Sequence, residues 1–259
     1  MTPMHITRLS ITAAVLVGLA ACSPRPAPAP AAHWGYEAAE GPAHWSAMAP
    51  ACAGSAQSPI NLRSSTLQHT DGSHLQLHYA PARFRVVNNG HTLQADPQDA
   101  AAGGIELDGE HFALKQFHVH TPSEHQIDGR SHDMELHLVH ASASGRIAVV
   151  AAFYDVGEDS PALAELFDDI SSGLATPGSS VLLDRPIDPT ALVPSHGHIA
   201  RYTGSLTTPP CTEGVVWNIK LQPMQLSAAQ LQGLRHLYPH NNRPVQPVNG
   251  RPVEVQPTL

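Results

Sequence analysis

"QFHVHTPSEH", from Gln116 to His125, sets two histidines two residues apart inside a run that otherwise alternates. Successive side chains of a β-strand point to opposite faces, so His118 and His120 share one face while Phe117 and Val119 turn into a core on the other. "MELHLVH", Met134 to His140, follows with the same alternation. Glu135 and His137 lie together there, with Leu136 and Leu138 opposite. Paired as neighbours, the two strands bring three imidazoles to one point.

The surrounding segments read as strands too. "HLQLHYA", "RFRVVNN" and "TLQADP" precede the histidine pair, and the two histidine runs extend to "ALKQFHVHT" and "MELHLVHAS". "RIAVVAAFYDVG" is a continuous apolar run suited to a sheet centre. Two helices are expected. "SPALAELFDDIS" carries Leu163, Leu166, Phe167 and Ile170 on one side, and "SAAQLQGLRHLY" has Ser227 as its N-cap. Strands follow one another without intervening helices for most of the chain, and no second linker or internal repeat interrupts them. The expected fold is therefore mainly β, a single domain built on a large twisted, mostly antiparallel central sheet with a few short peripheral helices.

The chain has 259 residues, 42% of them hydrophobic and 14% charged, which excludes a disordered protein. Its net charge of -8 and the lack of any Lys/Arg run exclude nucleic-acid binding. Arg8 closes a short positive region ahead of the apolar "ITAAVLVGLAA", too short to span a bilayer and read as a signal peptide over residues 1–21. "LAAC", Leu19 to Cys22, resembles the bacterial lipobox, in which the cysteine carries the lipids. The alternative is an ordinary secretory signal cut after an Ala-x-Ala-like site. The following "SPRPAPAPAA" completes a tether over residues 22–32, leaving 33–259 as the globular domain. Cys22 would then fix the protein to a membrane, exported and on the periplasmic face of the envelope. Ser23 is not the aspartate that retains many such lipoproteins at the inner membrane. In an oxidising compartment the remaining cysteines, Cys52 and Cys211, are expected to pair, the alternative being two buried thiols.

Three histidines without a cysteine or carboxylate ligand suit tetrahedral Zn²⁺ with its fourth position open, the arrangement a catalytic site needs. Single strand histidines are more often surface or hydrogen-bonded residues, and H-x-H alone recurs by chance, so the third histidine matters. A metal-bound imidazole usually gives its other N–H to a fixed acceptor, and Gln116 and Glu135 are placed for that part.

Seven blocks, "HWGYEAAEGPAHW", "QSPINL", "NNGHTLQ", "QFHVHTPSEH", "MELHLVH", "GSLTTPPCTEGVVW" and "NNRPVQP", occur in the order found in α-class carbonic anhydrases. From His33 to Val253 the chain resembles that family. The resemblance implies zinc-dependent, reversible hydration of carbon dioxide to bicarbonate, with His118, His120 and His137 as zinc ligands. Thr207 matches the threonine that accepts a hydrogen bond from the attacking hydroxide, and Glu124 the carboxylate that accepts a hydrogen bond from the threonine's hydroxyl. His91 matches the proton shuttle, an imidazole whose ordinary pKa near 6.5 suits the task. Tyr36, Asn88 and Asn89 match residues holding the solvent chain to it. Val139, Val149, Leu206, Thr208, Val215 and Trp217 match the carbon dioxide pocket. The cysteine after "TTPP" resembles exported bacterial members in which it pairs with one before "QSPIN", which supports Cys52–Cys211. Exported relatives are often dimers, so the resemblance is compatible with a homodimer, while the sequence does not fix the oligomeric state. Val119 is smaller than the aromatic some relatives carry there, on the face away from the metal. The rival reading is a non-catalytic zinc-binding module for storage or adhesion; ester cleavage would be a side activity of the same site.

Overall fold

The computed structural model describes residues 33–257 apart from 71–74 and 169–172. The signal peptide, Cys22 and the tether therefore lie outside the described residues, as do Ile170 and the side chain of Phe167. The strands in chain order are β1 (Asn61–Leu62), β2 (Gln68–His69), β3 (Leu75–Tyr79), β4 (Phe84–Asn88), β5 (Leu93–Pro97), β6 (Gly103–Leu107) and β7 (Glu110–His120). They continue with β8 (Gln126–Ile127), β9 (Met134–Ser142), β10 (Ile147–Val156), β11 (Ser180–Leu182), β12 (His198–Ser205), β13 (Glu213–Leu226) and β14 (Glu254–Pro257). A 12-stranded sheet runs in the order β11-β4-β5-β7-β9-β10-β13-β12-β14-β2, with β3 and β6 joined to it through β7, while β1 and β8 form a separate pair. The single-domain, mainly β architecture is the expected one. The pairing is antiparallel except at β10–β13 and β14–β2 within the large sheet.

The apolar run of β10 takes a place at the centre, between antiparallel β9 and parallel β13. Its parallel partner arrives only after a long excursion through the helix Pro161–Asp168, β11 and β12, as parallel neighbours require. Leu163 and Leu166 of that helix are buried in the larger apolar cluster. The second helix, Ala228–Leu237, starts at Ser227, whose Oγ accepts from the Gln230 N–H while Gln230 Oε1 accepts from the Ser227 N–H. This reciprocal cap is worth about 1 kcal/mol.

The two faces of the sheet carry separate apolar clusters. Phe117, Val119, Leu136 and Leu138 belong to one, and Val149, Val215, Trp217 and Ile219 to the other. Register on β7 is set by this division. A one-residue slip would take Phe117 and Val119 out of their apolar cluster onto the histidine face and drive His118 and His120 into that cluster. The β7–β9 register places His118 opposite His137 and His120 opposite Glu135. A third cluster holds Trp45 with Cys52 and Cys211, which form a disulfide with Cα atoms 4.9 Å apart.

Candidate metal centre

Ring centroids of His118, His120 and His137 lie 4.7–5.2 Å from one another, and one ligating nitrogen from each falls within a 4.8 Å cluster. On each ring the other nitrogen is tied. His118 Nδ1 lies 2.7 Å from Gln116 Oε1, His120 Nδ1 donates to the Asn241 carbonyl at 2.6 Å, and His137 Nε2 lies 2.8 Å from Glu135 Oε1. A carbonyl or carboxylate oxygen only accepts, so the tied nitrogen carries the proton and the remaining one carries a lone pair. Gln116 and Glu135 each bond the ring of the histidine two residues along their strand. Burial, with the neighbouring imidazoles adding to it, pushes the His118 pKa well below the ordinary histidine value and lowers that of His120. Both rings are therefore neutral at pH 7, the form a metal binds.

Two buried atoms at the centre have no hydrogen-bond partner, His120 Nε2 and Glu124 Oε2, 3.6 Å apart. Leaving such groups unpaired costs about 1–3 kcal/mol each, a cost that a ligand at this point removes. Donor chemistry, neutral charge and tied second nitrogens all fit a His₃ metal ion.

Glu135 anchors the deeper side. Its Oε2 accepts the N–H groups of Glu124 and His125, and Oε1 accepts from His125 Nδ1 as well as His137. Burial alone would raise the carboxyl pKa, but His125 and His137 beside it hold it well below the usual range. His125 Nε2 in turn accepts from the Tyr202 hydroxyl at 2.7 Å, which meets Ser58 Oγ at 2.7 Å. The Ser205 N–H donates to the same Ser58 oxygen, so the chain of bonds ends two residues before Thr207. At Gly204 an added Cβ would lie 2.0 Å from Ser58 Oγ, so the residue must be glycine.

Glu124 Oε1 accepts from the Arg243 N–H at 2.8 Å. The hydrogen bond expected from Thr207 to Glu124 is not formed, since Oε2 has no partner, although both residues are buried. Asn88 also differs from its expected place in a solvent chain. It is buried, with Nδ2 donating to Leu174 O and Oδ1 accepting from the Gly90 N–H and the Tyr238 hydroxyl. Asn89 Oδ1 accepts from the N–H groups of His91 and Thr92, and Gly90 supplies the left-handed φ of 88° that this turn needs. The His91 ring stacks on Trp34 with centroids 3.6 Å apart, and burial followed by His33 lowers its pKa. Tyr36 lies against Trp34 and Trp45, and burial, then Glu124, raises its pKa. Val149, Val215 and Trp217 are buried on the histidine face, with Val139 and Leu206 packed against them and Trp217 4.9 Å from the His137 ring. Thr208 is half-buried, its carbonyl accepting from the Cys211 N–H.

Sequence reasoning assigned no role to Asn241, Arg243, His125, Tyr202 or Ser58. "NNRPVQP" and "PSEH" marked some of them as parts of family blocks, but a backbone carbonyl such as that of Asn241 leaves no side-chain signature.

Residues 40–257 match the family model described as eukaryotic-type carbonic anhydrase. The chain is 40% identical over 240 residues to the carbonic anhydrase of Klebsiella pneumoniae, covering 91% of this chain and 96% of that one. Among solved structures, the α-carbonic anhydrase of Thermovibrio ammonificans in complex with the inhibitor sulfanilamide matches with a TM-score of 0.81 at 39% identity, over 86% of this chain and 99% of that one. Dioscorin complexed with ascorbate matches equally well in fold, with a TM-score of 0.81 at 30% identity, over 88% and 99% of the two chains. A His₃ cluster on a central sheet, a family model spanning nearly the whole described domain and close relatives at this identity lead to one conclusion: the chain belongs to the α-class carbonic anhydrases, enzymes that hydrate carbon dioxide.

Proposed function

We propose that His118, His120 and His137 hold one zinc ion and that the protein interconverts carbon dioxide and bicarbonate with His91 as its proton carrier. The observation that carries this reading is the set of three lone-pair nitrogens facing one point, each ring fixed through its other nitrogen. Zinc bound there supplies Lewis acidity, which makes a water oxygen nucleophilic at neutral pH. The protein supplies the rest. Gln116, Glu135 and the Asn241 carbonyl orient the three rings. Glu124 Oε2 is buried and without a partner, and although Thr207 does not bond it in this structure, a Thr207 hydroxyl turned to donate there would keep its own lone pairs free to orient the nucleophile. Val139, Val149, Leu206, Val215 and Trp217 form an apolar wall that suits a small uncharged substrate and offers bicarbonate no hydrogen bond. His91, its pKa below the ordinary value, takes the proton at a ring nitrogen and gives it up readily to solvent buffer. We assign Tyr36 and Asn89 to the solvent path that leads to it.

The disulfide supports export, since such bonds persist in oxidising compartments. A lipid anchor at Cys22, on the periplasmic face of the envelope, completes the reading. Stopped-flow hydration of carbon dioxide with a pH indicator, before and after zinc chelation, tests it. Chelator-sensitive turnover is expected; zinc without turnover would establish the storage or adhesion reading instead. His91→Ala should lower kcat at saturating carbon dioxide while changing kcat/KM much less, because proton export follows bicarbonate release. Imidazole should restore part of the loss. Equal falls in both parameters, without rescue, would remove His91 from proton transfer.

A further inference from the structure

Asn241 is 2% exposed, and each polar group of its side chain, together with its backbone carbonyl, is engaged in one bundle of bonds. The carbonyl accepts from His120 Nδ1 at 2.6 Å. Side-chain Oδ1 accepts from the Thr121 N–H at 2.8 Å, and Nδ2 donates to Val119 O at 3.0 Å and to His91 O at 3.1 Å. The amide orientation follows from chemistry alone. Thr121 N–H can only donate and the two carbonyls can only accept, so a flipped amide would break all three bonds. Val119 O, which lies between two of the histidine ligands, also accepts from Thr92 Oγ1 at 2.6 Å. One carbonyl on the ligand strand is thus joined to the His91 turn twice, through Thr92 and through Asn241.

We propose that the Asn241 side chain is a positioning residue for proton transfer, a strut fixing the distance between the His91 turn and the ligand strand. The inference rests on the reading of His91 as the proton carrier. The turn's remaining ties to that strand are less direct: Asn89 Oδ1 holds it internally, β5 leaves it to pair with β7 only from Gln94, opposite His118, and Asn88 bonds Leu174 and Tyr238, whose carbonyl accepts from Thr121 Oγ1. Proton relay through solvent is steeply sensitive to the separation of its ends, so a turn free to drift by an ångström slows the relay while leaving the pocket for carbon dioxide in place. Asn241→Leu removes the three side-chain bonds at similar volume and keeps the backbone carbonyl that holds His120.

The test uses the full chain loaded with zinc and compares Asn241→Leu, His91→Ala and the double variant. Asn241→Leu should lower kcat in weak buffer about 5- to 20-fold, change kcat/KM less than 3-fold and recover with imidazole. The double variant should be no slower than His91→Ala alone, since a strut has nothing to position once the ring is gone. Thr92→Val, which removes the other tie, should show the same pattern in milder form if Asn241→Leu fails to fold. Amide hydrogen exchange supplies a readout independent of activity: the amides of residues 89–92 should exchange at least 10-fold faster in Asn241→Leu, with those of β9 and β10 unchanged. Additive losses in the double variant, equal falls in kcat and kcat/KM, or unaltered exchange at 89–92 would each overturn the proposal. If the wild type itself hydrated no carbon dioxide, the function would fall, and faster exchange would still establish the strut.

Discussion

His140 offers a test of the protein interior that is separate from the metal centre. It lies on β9 on the same face as Leu136 and Leu138, away from the ligand histidines, and is fully buried. Its Nδ1 donates to Ala148 O at 3.2 Å, and Nε2 lies 2.8 Å from the Tyr79 hydroxyl, which therefore donates to it. Burial lowers its pKa to about 3. The folded protein thus refuses a proton that the unfolded chain accepts near pH 6.5. Stability from this group is fully present above pH 6.5 and is lost as pH falls toward 3, at roughly 1.4 kcal/mol per pH unit. By pH 4.5 the loss is on the order of 3 kcal/mol. His140→Leu leaves the Tyr79 hydroxyl without its acceptor, a cost of about 2 kcal/mol at pH 7, but abolishes the titration. The two stability curves should therefore cross near pH 5, with the variant the less stable above and the more stable below. Urea unfolding of both proteins at pH 7, 6, 5 and 4.5 measures the difference, in which the titrations of His118 and His120 cancel. A constant offset across that range would refute the assignment of a neutral, buried His140.

Elemental analysis of the purified protein should find one zinc per chain, and His137→Ala should lose it; unchanged zinc in that variant would move the site elsewhere. Cys52 and Cys211 are separated by 159 residues, so a variant with both changed to serine should lose about 4–5 kcal/mol of stability by loop entropy. Two reactive thiols in unreduced, unfolded wild type would contradict the bond itself. Mass spectrometry of the mature protein from membranes should find acyl chains on Cys22, and Cys22→Ser should release the domain from the membrane. A mature N-terminus downstream of Cys22 would rule the anchor out.

Strands whose residues alternate were readable from sequence because a side chain's face follows from its parity alone. That is why the face shared by His118 and His120, the opposite turn of Phe117 and Val119, and the central place of β10 were legible before any coordinate. The β13 strand escaped the same reading. "EGVVWNIKLQPMQL" buries both faces along much of its length and carries a proline, so neither alternation nor a clean apolar run marks it. Its parallel pairing with β10 depends on contacts far apart in the chain, which no local pattern encodes. At the site, Gln116 and Glu135 were legible because each sits two residues from the histidine it holds. Asn88 was not: its amide looks free in the sequence "NNGH", and only packing shows it bonded to Leu174, Gly90 and Tyr238. The Asn241 carbonyl was beyond reach for a different reason, since any non-proline or proline residue offers one.

The bond from His120 to Asn241 also sets a clock on assembly. These residues lie 121 positions apart. At synthesis rates of about 5–20 residues per second, roughly 6–24 s pass between the emergence of one and the other. During that interval His118, His120 and His137 all exist, but the ring of His120 has nothing to fix its tautomer, and Glu124 lacks the Arg243 N–H. Of the three rings, then, only His120 waits on a distant partner, since the partners of His118 and His137 lie two residues away. The three-histidine centre therefore reaches its full set of bonds only once the segment carrying Asn241 and Arg243 is in place.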